Sequence, residues 1–297
     1  MKKLVFKGAA TALVTPMKTD RSVDFDMLDF MVEDQISKGI DALVVCATTG
    51  ESCTLNYKEH LLVIEAAAKK AAKRVPIIAG TGSNDTVYSV GLCKDAKDCG
   101  ADAYLSVTPY YNKTSQHGIV AHYNYIADRI DLPLIVYNVP SRTGVNIEPE
   151  TYYELSKHPN IVATKEANGN LEALKKTIDL CGDNLTIYSG NDDQMVEVLK
   201  LGGMGVISVI ANILPTETHD IITKYLKGDI KGSEEIFAKY EELCRALFYD
   251  VNPVPVKTAL RLIGKSCGIY RLPLVDMLPE KEEKLVLALK NCGLIKK

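Results

Sequence analysis

Eight short apolar segments recur along the chain as far as residue 212, separated by stretches that mix charged and apolar residues. The apolar segments are continuous rather than alternating, which is typical of parallel β-strands buried on both faces. We therefore predict eight strands, at residues 8–16, 41–49, 75–82, 102–111, 132–140, 161–167, 185–192 and 203–212.

The segments between the strands have helical character. One begins after Asp24, a candidate N-cap, and closes at Gly39. Its apolar positions share one helical face, at Phe25, Leu28, Val32 and Ile36. A second segment, residues 56–73, is rich in helix-forming residues and charged on one side.

The order of these elements predicts the fold. Eight strand-then-helix units of roughly 20–35 residues, without a Ser/Pro-rich linker, are typical of an α/β protein with a (β/α)8 TIM barrel. Beyond the last strand only helical segments follow. We therefore predict a barrel at residues 1–225 and a C-terminal helical extension packed on it at residues 226–297. A doubly wound sheet is the alternative, but residues 15–22 do not form the glycine-rich loop that usually follows its first strand.

Composition and charge exclude several classes of partner. The chain has 297 residues, of which 46% are hydrophobic and 25% charged, and a formal net charge of −3. It offers no basic surface for nucleic acid, no polybasic segment for a membrane and no apolar run of transmembrane length. Its eight cysteines lack paired C-x-x-C spacing. We therefore predict a cytoplasmic protein without a metal site, with Cys46 and Cys181 as reduced core residues.

Polar and reactive side chains gather where the predicted strands end, which is where the active site of a (β/α)8 barrel lies. The candidates are Thr48, Thr49, Gly50 and Glu51 after strand two, Tyr110 and Tyr111 after strand four, Tyr137 and then Arg142 at strand five, Lys165 on strand six, residues 189–192 after strand seven, and Ile207 and Ser208 on strand eight. Each alone has an ordinary structural explanation. Their convergence on one end of the barrel predicts an active site.

Lys165 is the most informative of these residues, because a charged amine at the inner end of a buried strand is costly unless it is used. A desolvated amine loses its proton more easily, so it can attack a carbonyl carbon and form a Schiff base. That chemistry needs a proton shuttle, which a tyrosine, a threonine and a second tyrosine would provide. A Thr-Thr-Gly turn suits one substrate carboxylate, and the guanidinium of Arg142 suits a second.

Six motifs, in order along the chain, give a more specific indication. They are CATTGES, TPYYNKTSQHG, YNVPSRTG, TKEANG, YSGNDD and GVISVIAN. Together they resemble the dihydrodipicolinate synthase family of class I pyruvate-dependent aldolases, from about residue 5 through the C-terminal helices. The resemblance implies a lyase that condenses pyruvate with L-aspartate 4-semialdehyde, without a cofactor, in the opening step of diaminopimelate and lysine biosynthesis.

The resemblance also implies a role for each matching position. Lys165 would form the Schiff base with pyruvate, and Tyr137 would donate and accept protons. Thr48 and Tyr111 would complete the relay, with Tyr111 reaching into the active site of a neighbouring subunit. The family is normally a homotetramer or a homodimer, so we expect a homotetramer here and at least a dimer.

The same resemblance implies how the substrates are held. Thr49 would bind the pyruvate carboxylate, with Ile207 contributing through its backbone and Gly190 lining the pocket. Arg142 would receive the carboxylate of the semialdehyde at the mouth of the site.

Many members of this family are inhibited by lysine at the dimer interface, and seven positions here would line that pocket: Ser52, Cys53, Tyr57, His60, Asn84, Tyr88 and Tyr110. His60, Asn84 and Tyr110 fit the inhibited pattern. Tyr88 replaces a usual glutamate and Tyr57 a common histidine, which leaves the amine of lysine without an acidic partner. We therefore predict weak or absent inhibition, which loss of turnover in millimolar lysine would refute.

Three other functions remain to be compared with this one. N-acetylneuraminate lyase shares the lysine and the tyrosine but lacks the arginine of the SRTG motif, so Arg142 favours the synthase. Aldolases for 2-keto-3-deoxy sugar acids are a related alternative. A non-catalytic barrel that binds small acids is an alternative of another class, but it would not need the set of Lys165, Tyr137, Thr48 and Tyr111.

Overall fold

Eight parallel strands form a closed barrel in the computed structural model, which describes residues 2–265 and 267–296. The strands are β1 Gly8–Ala12, β2 Ala42–Val45, β3 Ile77–Gly80, β4 Ala103–Val107, β5 Leu134–Asn138, β6 Ile161–Glu166, β7 Thr186–Ser189 and β8 Gly205–Ser208. Each strand pairs with the next, and β8 pairs with β1. The predicted (β/α)8 barrel is therefore confirmed, the doubly wound alternative is excluded, and every observed strand lies inside a longer predicted one.

Helices follow the strands and form the outer layer. Within the described residues they are α1 Phe25–Ser37, α2 Tyr57–Ala71, α3 Thr86–Asp98, α4 Gln116–Ala127, α5 Pro140–Thr143, α6 Pro149–Leu155, α7 Leu171–Cys181, α8 Met195–Lys200, α9 Pro215–Leu226, α10 Ile230–Ala246, α11 Val254–Leu262 and α12 Pro279–Asn291. None of the helices in this described part of the chain combines the length and the apolarity needed to cross a membrane.

Helix α1 shows both the strength and the limit of the sequence pattern. Asp24 is its N-cap, as predicted, and its side chain accepts a hydrogen bond from the Met27 backbone N–H at 3.1 Å. Phe25, at the start of the predicted apolar face, is 37% exposed. The buried residues of the helix are Leu28, Met31, Val32 and Gln35. The buried face includes Gln35 because its side-chain amide oxygen accepts a hydrogen bond from the hydroxyl of Thr11 on β1 at 2.5 Å.

Two apolar layers make up the core. One lies between the strands and the helices, and the other fills the barrel. The barrel layer includes Ala10, Val44, Ile78, Leu105, Ile135 and Ile207. At the N-terminal end of the barrel, Phe6 stacks on Tyr188 with ring centroids 4.2 Å apart. The Tyr188 hydroxyl also donates to the Phe6 carbonyl at 2.7 Å, which closes this end.

A bulge in β6 decides which side chains of that strand face the barrel. Leu134 pairs with Ile161, whereas the next residue of β5 pairs with Ala163, so Val162 is an extra residue. An extra residue reverses the alternation of side chains beyond it. Ile161 packs in the outer layer, and without the bulge Lys165 would face the same way. With it, Lys165 points into the barrel.

The predicted division of the chain falls near the end of α9. This helix packs on β1 and β8 and completes the outer layer of the barrel, whereas α10 and α11 both pack against α12 beyond it. The division at residues 225 and 226 itself remains a prediction. Cys46 and Cys181 are buried free thiols, as predicted.

Candidate active site

Lys165 lies inside the C-terminal half of the barrel and is only 4% exposed. It pairs in register with Tyr137 on β5, and its Nζ lies 4.4 Å from the centroid of the Tyr137 ring. Among residues 2–265 and 267–296, no hydrogen bond to this Nζ is present. Burial lowers the pKa of Lys165 from 10.5 to about 8, the negative charge of Asp192 opposes this shift, and Arg142 adds to it. The amine is thus prepared to act as a nucleophile near neutral pH.

Gly190 lets β7 pack closely against this lysine. Its backbone N–H donates to the Glu166 carbonyl at 2.7 Å. A Cβ at position 190 would lie 2.8 Å from the Cβ of Ala167 and 3.1 Å from the Cγ of Lys165. Any larger residue would therefore press on the Lys165 side chain.

The side chain of Glu166, the next residue along β6, lies on the opposite face of the strand. Its carboxylate accepts from the Tyr152 hydroxyl at 2.7 Å and from the Asn138 amide at 3.0 Å. Burial raises the pKa of Glu166 to about 7, and these hydrogen bonds oppose the shift. Lys165 and Glu166 therefore face opposite sides of β6 and do not pair with each other.

Tyr137 and Thr48 form the second part of the site. Tyr137 is 6% exposed, and burial raises the pKa of its hydroxyl, against the opposing effects of the Arg142 charge and of a hydrogen bond with Thr48. The phenol therefore keeps its proton near neutral pH. A neutral phenol next to a buried amine can donate that proton to a reacting oxygen and recover it later.

The turn after β2 is fixed by close packing. The Gly50 carbonyl accepts from the Thr15 hydroxyl at 2.7 Å. A Cβ on Gly50 would lie 3.1 Å from both the Cys46 nitrogen and the Leu13 carbonyl oxygen. Glu51 then takes the left-handed conformation, with φ 54°. These constraints place the Thr49 side chain, which is 2% exposed.

A buried ion pair ties this turn to the C-terminal extension. Lys257 on α11 donates to the Glu51 carboxylate at 2.7 Å, and the exposed fractions of the two side chains are 0% and 1%. Lys257 also donates to the Thr15 and Ile269 carbonyls at 3.0 and 2.7 Å. The second Glu51 oxygen accepts from the Arg271 backbone N–H at 3.1 Å. Lys257 was not among the predicted site residues, although a lysine within the largely apolar stretch 254–260 was a visible signal.

Asn252 is a second residue that the sequence analysis missed. It precedes α11 and is 6% exposed. Its side-chain amide donates to the Thr49 hydroxyl at 3.0 Å, and its carbonyl accepts from the Arg142 guanidinium at 3.1 Å. Nothing in the local sequence pattern marks this residue, because both of its partners are distant in the chain.

Arg142 lies on α5, a single helical turn that begins with Pro140. Gly144 ends this turn with φ 69°. The arginine is exposed, and it lines a cavity of about 570 Å³ together with Thr48 and Tyr137. The structure thus brings three of the predicted residues to one cavity, whereas Lys165, whose Nζ lies beside the Tyr137 ring, is not among the residues that line it.

Tyr111 is not part of this arrangement within one chain. It lies in the loop after β4, has φ 70° and is 92% exposed. It does not line the cavity that contains Thr48 and Tyr137. Its predicted role in a neighbouring subunit stays a prediction.

The predicted effector residues lie along the same cavity. Its lining includes Ser52, Cys53, His60, Asn84, Tyr88 and Tyr110. The His60 Nε2 donates to the Gly80 carbonyl at 2.8 Å, and burial lowers the pKa of this imidazole. Tyr57 meets Tyr88 edge to face at 5.6 Å and donates its hydroxyl to Asp95. An aromatic pair therefore stands where the sequence analysis noted departures from the inhibited pattern.

The remaining predicted residues complete the wall of the barrel. Ile207 is fully buried on β8. The Asp192 carboxylate accepts from the backbone N–H groups of Val209 and Ile210 at 2.9 and 2.8 Å, which fixes the end of that strand. The site as a whole combines a desolvated amine, a neutral phenol and an arginine at the mouth.

Known proteins are similar to this chain along nearly its full length. The model of the dihydrodipicolinate synthetase family matches residues 5–292. The 4-hydroxy-tetrahydrodipicolinate synthase of Caldicellulosiruptor saccharolyticus is 50% identical over 290 residues, 98% of each chain. That of Acetivibrio thermocellus is 48% identical over 295 residues, 99% of this chain and 100% of the other. The crystal structure of the chloride-inhibited dihydrodipicolinate synthase of Acinetobacter baumannii, complexed with pyruvate, has a TM-score of 0.95 and 42% identity, and covers 97% of this chain and 99% of that one.

Proposed function

The chain belongs to the dihydrodipicolinate synthetase family, and from that premise we propose that Lys165 is the nucleophile of its reaction. The activity is that of a 4-hydroxy-tetrahydrodipicolinate synthase, a lyase of diaminopimelate and lysine biosynthesis. The observation that carries the assignment is the environment of Lys165, an amine buried inside the barrel whose pKa is lowered to about 8.

The proposed reaction starts with the neutral amine of Lys165, which attacks the ketone carbon of pyruvate. Loss of water gives an imine, and the imine draws electrons from the neighbouring methyl group, so that a proton leaves and an enamine forms. The enamine carbon attacks the aldehyde of L-aspartate 4-semialdehyde. The amine of the adduct then displaces Lys165 by closing the ring. The imine itself is the electron sink, so the proposal needs no cofactor.

Tyr137 moves the protons in these steps. It donates to the oxygen that leaves as water and to the alkoxide formed from the aldehyde, and it recovers its proton through Thr48. Its position beside Lys165 supports this role. Tyr111 of a neighbouring subunit completes the relay in this proposal, and its 92% exposure in the single chain fits a residue that acts outside its own subunit.

Two groups hold the carboxylates. Thr49 and the backbone at Ile207 bind the carboxylate of pyruvate, with Gly190 lining the pocket. Arg142 binds the carboxylate of the semialdehyde as a charge-assisted pair. Its place at the mouth of the cavity supports this assignment, because the second substrate enters after pyruvate is bound.

The exposed Tyr111 also bears on assembly. We propose a homotetramer, and at least a dimer, because the relay would be incomplete in an isolated chain. The cytoplasm is the proposed compartment, since the reaction is a step of amino-acid biosynthesis.

One experiment tests the activity and the role of Arg142 together. Pyruvate consumption by the purified protein is measured with the semialdehyde, with N-acetylmannosamine and with glyceraldehyde. We expect turnover with the semialdehyde only. In Arg142→Ala, the KM for the semialdehyde should rise about 10- to 100-fold while the KM for pyruvate changes little, because one charged hydrogen-bond donor is lost. Arg129→Ala, which removes a surface guanidinium stacked on Tyr125, is the matched control.

The other outcomes identify the alternatives. Turnover with a sugar aldehyde instead would keep Lys165 and the fold but assign the protein to N-acetylneuraminate lyase or to the 2-keto-3-deoxy sugar-acid aldolases. Binding of pyruvate without turnover of any aldehyde would support a non-catalytic barrel that binds small acids.

A further inference from the structure

Asn252 connects the two parts of the site that hold substrate carboxylates. The residue belongs to the C-terminal extension and lies in the connection between α10 and α11. Its side-chain amide donates a hydrogen bond to the Thr49 hydroxyl at 3.0 Å, and its backbone carbonyl accepts one from the Arg142 guanidinium at 3.1 Å. One residue thus contacts the groups proposed for pyruvate and for the semialdehyde, through two different atoms.

The direction of the bond to Thr49 matters for the chemistry. A threonine hydroxyl has one proton to donate and two lone pairs that accept. The amide of Asn252 is the donor, so the hydroxyl of Thr49 accepts and retains its own proton. Within the described residues this hydroxyl has no other hydrogen bond, so its proton is available to a carboxylate.

The surroundings keep this contact in place. Lys257 lies five residues further along the chain and is anchored in the buried pair with Glu51, two residues beyond Thr49. The turn and the extension are therefore joined at two adjacent points. The side-chain oxygen of Asn252 is buried and has no hydrogen-bond partner in the described part of the chain. A buried oxygen without a partner is costly, and it calls for a reason other than stability.

We propose that Asn252 is a positioning residue that directs the Thr49 proton toward the pyruvate carboxylate and fixes the Arg142 guanidinium for the second carboxylate. The inference rests on the proposed function of these two residues. It makes the C-terminal extension part of the substrate site, and it separates the two tasks by atom: the side chain acts on pyruvate and the backbone acts on the semialdehyde.

Two substitutions test the side chain. Asn252→Ala removes the amide and keeps the carbonyl, so the KM for pyruvate should rise about tenfold while the KM for the semialdehyde changes less than about threefold. Asn252→Asp keeps the shape of the side chain but reverses its hydrogen bond with Thr49, because a carboxylate accepts a hydrogen bond from the Thr49 hydroxyl. It also adds a negative charge beside the pyruvate carboxylate. We expect a loss of kcat/KM for pyruvate of about 100-fold, which is larger than in Asn252→Ala.

The order of the two variants distinguishes positioning from packing. A packing role predicts that Asn252→Ala, which leaves a cavity, is at least as impaired as the isosteric Asn252→Asp, and that both KM values change together. Either result would overturn the proposal. Asn160→Ala is the matched control, since Asn160 donates two hydrogen bonds to backbone carbonyls, those of Ala127 and Ile130, near the start of β6. Its KM values should match those of the wild type.

A second measurement keeps the inference independent of turnover. Borohydride reduction of the pyruvate imine, followed by mass spectrometry, gives the pyruvate concentration for half-maximal labelling of each folded variant. That concentration should rise about tenfold in Asn252→Ala and further in Asn252→Asp. If the wild type is labelled but does not turn over the semialdehyde, the proposed function fails while the positioning role is still tested. Equal labelling of all variants would refute the positioning role alone.

Discussion

Two buried lysines show how differently one side chain can be used in this molecule. Lys165 inside the barrel and Lys257 in the extension are 4% and 1% exposed. Lys257 donates to the Glu51 carboxylate and to two backbone carbonyls. Lys165 has the ring of Tyr137 beside it, and within residues 2–265 and 267–296 its Nζ makes no hydrogen bond.

The comparison teaches that burial alone does not make a reactive amine. Three acceptors replace the water that Lys257 loses, so its charge is compensated and its Nζ is held. The Lys165 charge lacks such compensation, and its pKa falls to about 8 because the protonated form is the one that burial disfavours. Partners, rather than depth, distinguish the proposed nucleophile Lys165 from the ion-paired Lys257.

The largest expected effect concerns the chemistry itself. Lys165→Met should lower kcat by about 10⁴-fold or more, because it removes the amine that is proposed to form the imine. Pyruvate and borohydride should label wild type and folded Lys257→Met but not Lys165→Met, as read by intact mass. A pyruvate adduct on Lys257, or on any lysine of Lys165→Met, would contradict the contrast between the two amines.

The second effect concerns the free energy of unfolding, which should fall when Lys257 is replaced and rise when Lys165 is replaced. Lys257→Met leaves the Glu51 carboxylate buried without its cation, so the free energy of unfolding should fall by about 3–5 kcal/mol. Urea denaturation followed by circular dichroism measures this change. The double variant Glu51→Gln/Lys257→Met should recover most of the loss, since it removes the uncompensated charge.

Surface lysines provide the control for that comparison. Lys175 pairs with Asp179 on the exposed side of α7, and Lys175→Met should change the free energy of unfolding by less than about 0.5 kcal/mol. A double variant no more stable than Lys257→Met would show that the pair does not account for the loss.

These two lysines also show what could be predicted from the sequence. Lys165 was recognisable because it interrupts a continuous apolar strand whose end is the active face of a barrel. Lys257 was not recognised, because its meaning depends on Glu51, 206 positions away in the chain. The contact between Asn252 and Thr49, 203 positions apart, was missed for the same reason. Local patterns report elements and their ends, whereas contacts between distant segments appear only when the fold is built.

The orientation of side chains within a strand or helix was a second feature that the sequence pattern could not predict. The strand pattern located β6 but not the bulge at Val162 that directs Lys165 inward. In α1 the spacing of apolar residues put Phe25 on the apolar face, whereas the buried face of the helix includes a polar residue, Gln35, and leaves Phe25 exposed. In β6 one extra residue, and in α1 one hydrogen bond, changes which side chains are buried. The periodicity of the sequence gives only the average orientation of a strand or helix.

The smallest effect, and the sharpest test of the contrast, is the pH dependence of stability. Below pH 8 both folded and unfolded chains hold the Lys165 proton, and the folded state bears the full cost of burying the charge. Between pH 8 and 10.5 only the unfolded chain holds this proton, so the stability of the wild type rises with pH.

Lys165→Met removes the cost of burying the charge and should be about 3 kcal/mol more stable than the wild type at pH 7. The difference should shrink toward zero as pH rises through that window, when both proteins are compared by urea denaturation. For Lys257→Met, whose loss comes from the unpaired Glu51, no recovery is expected over the same range. A stability difference for Lys165→Met that stays constant from pH 7 to 10.5 would show that packing, rather than the buried charge, sets the environment of the nucleophile.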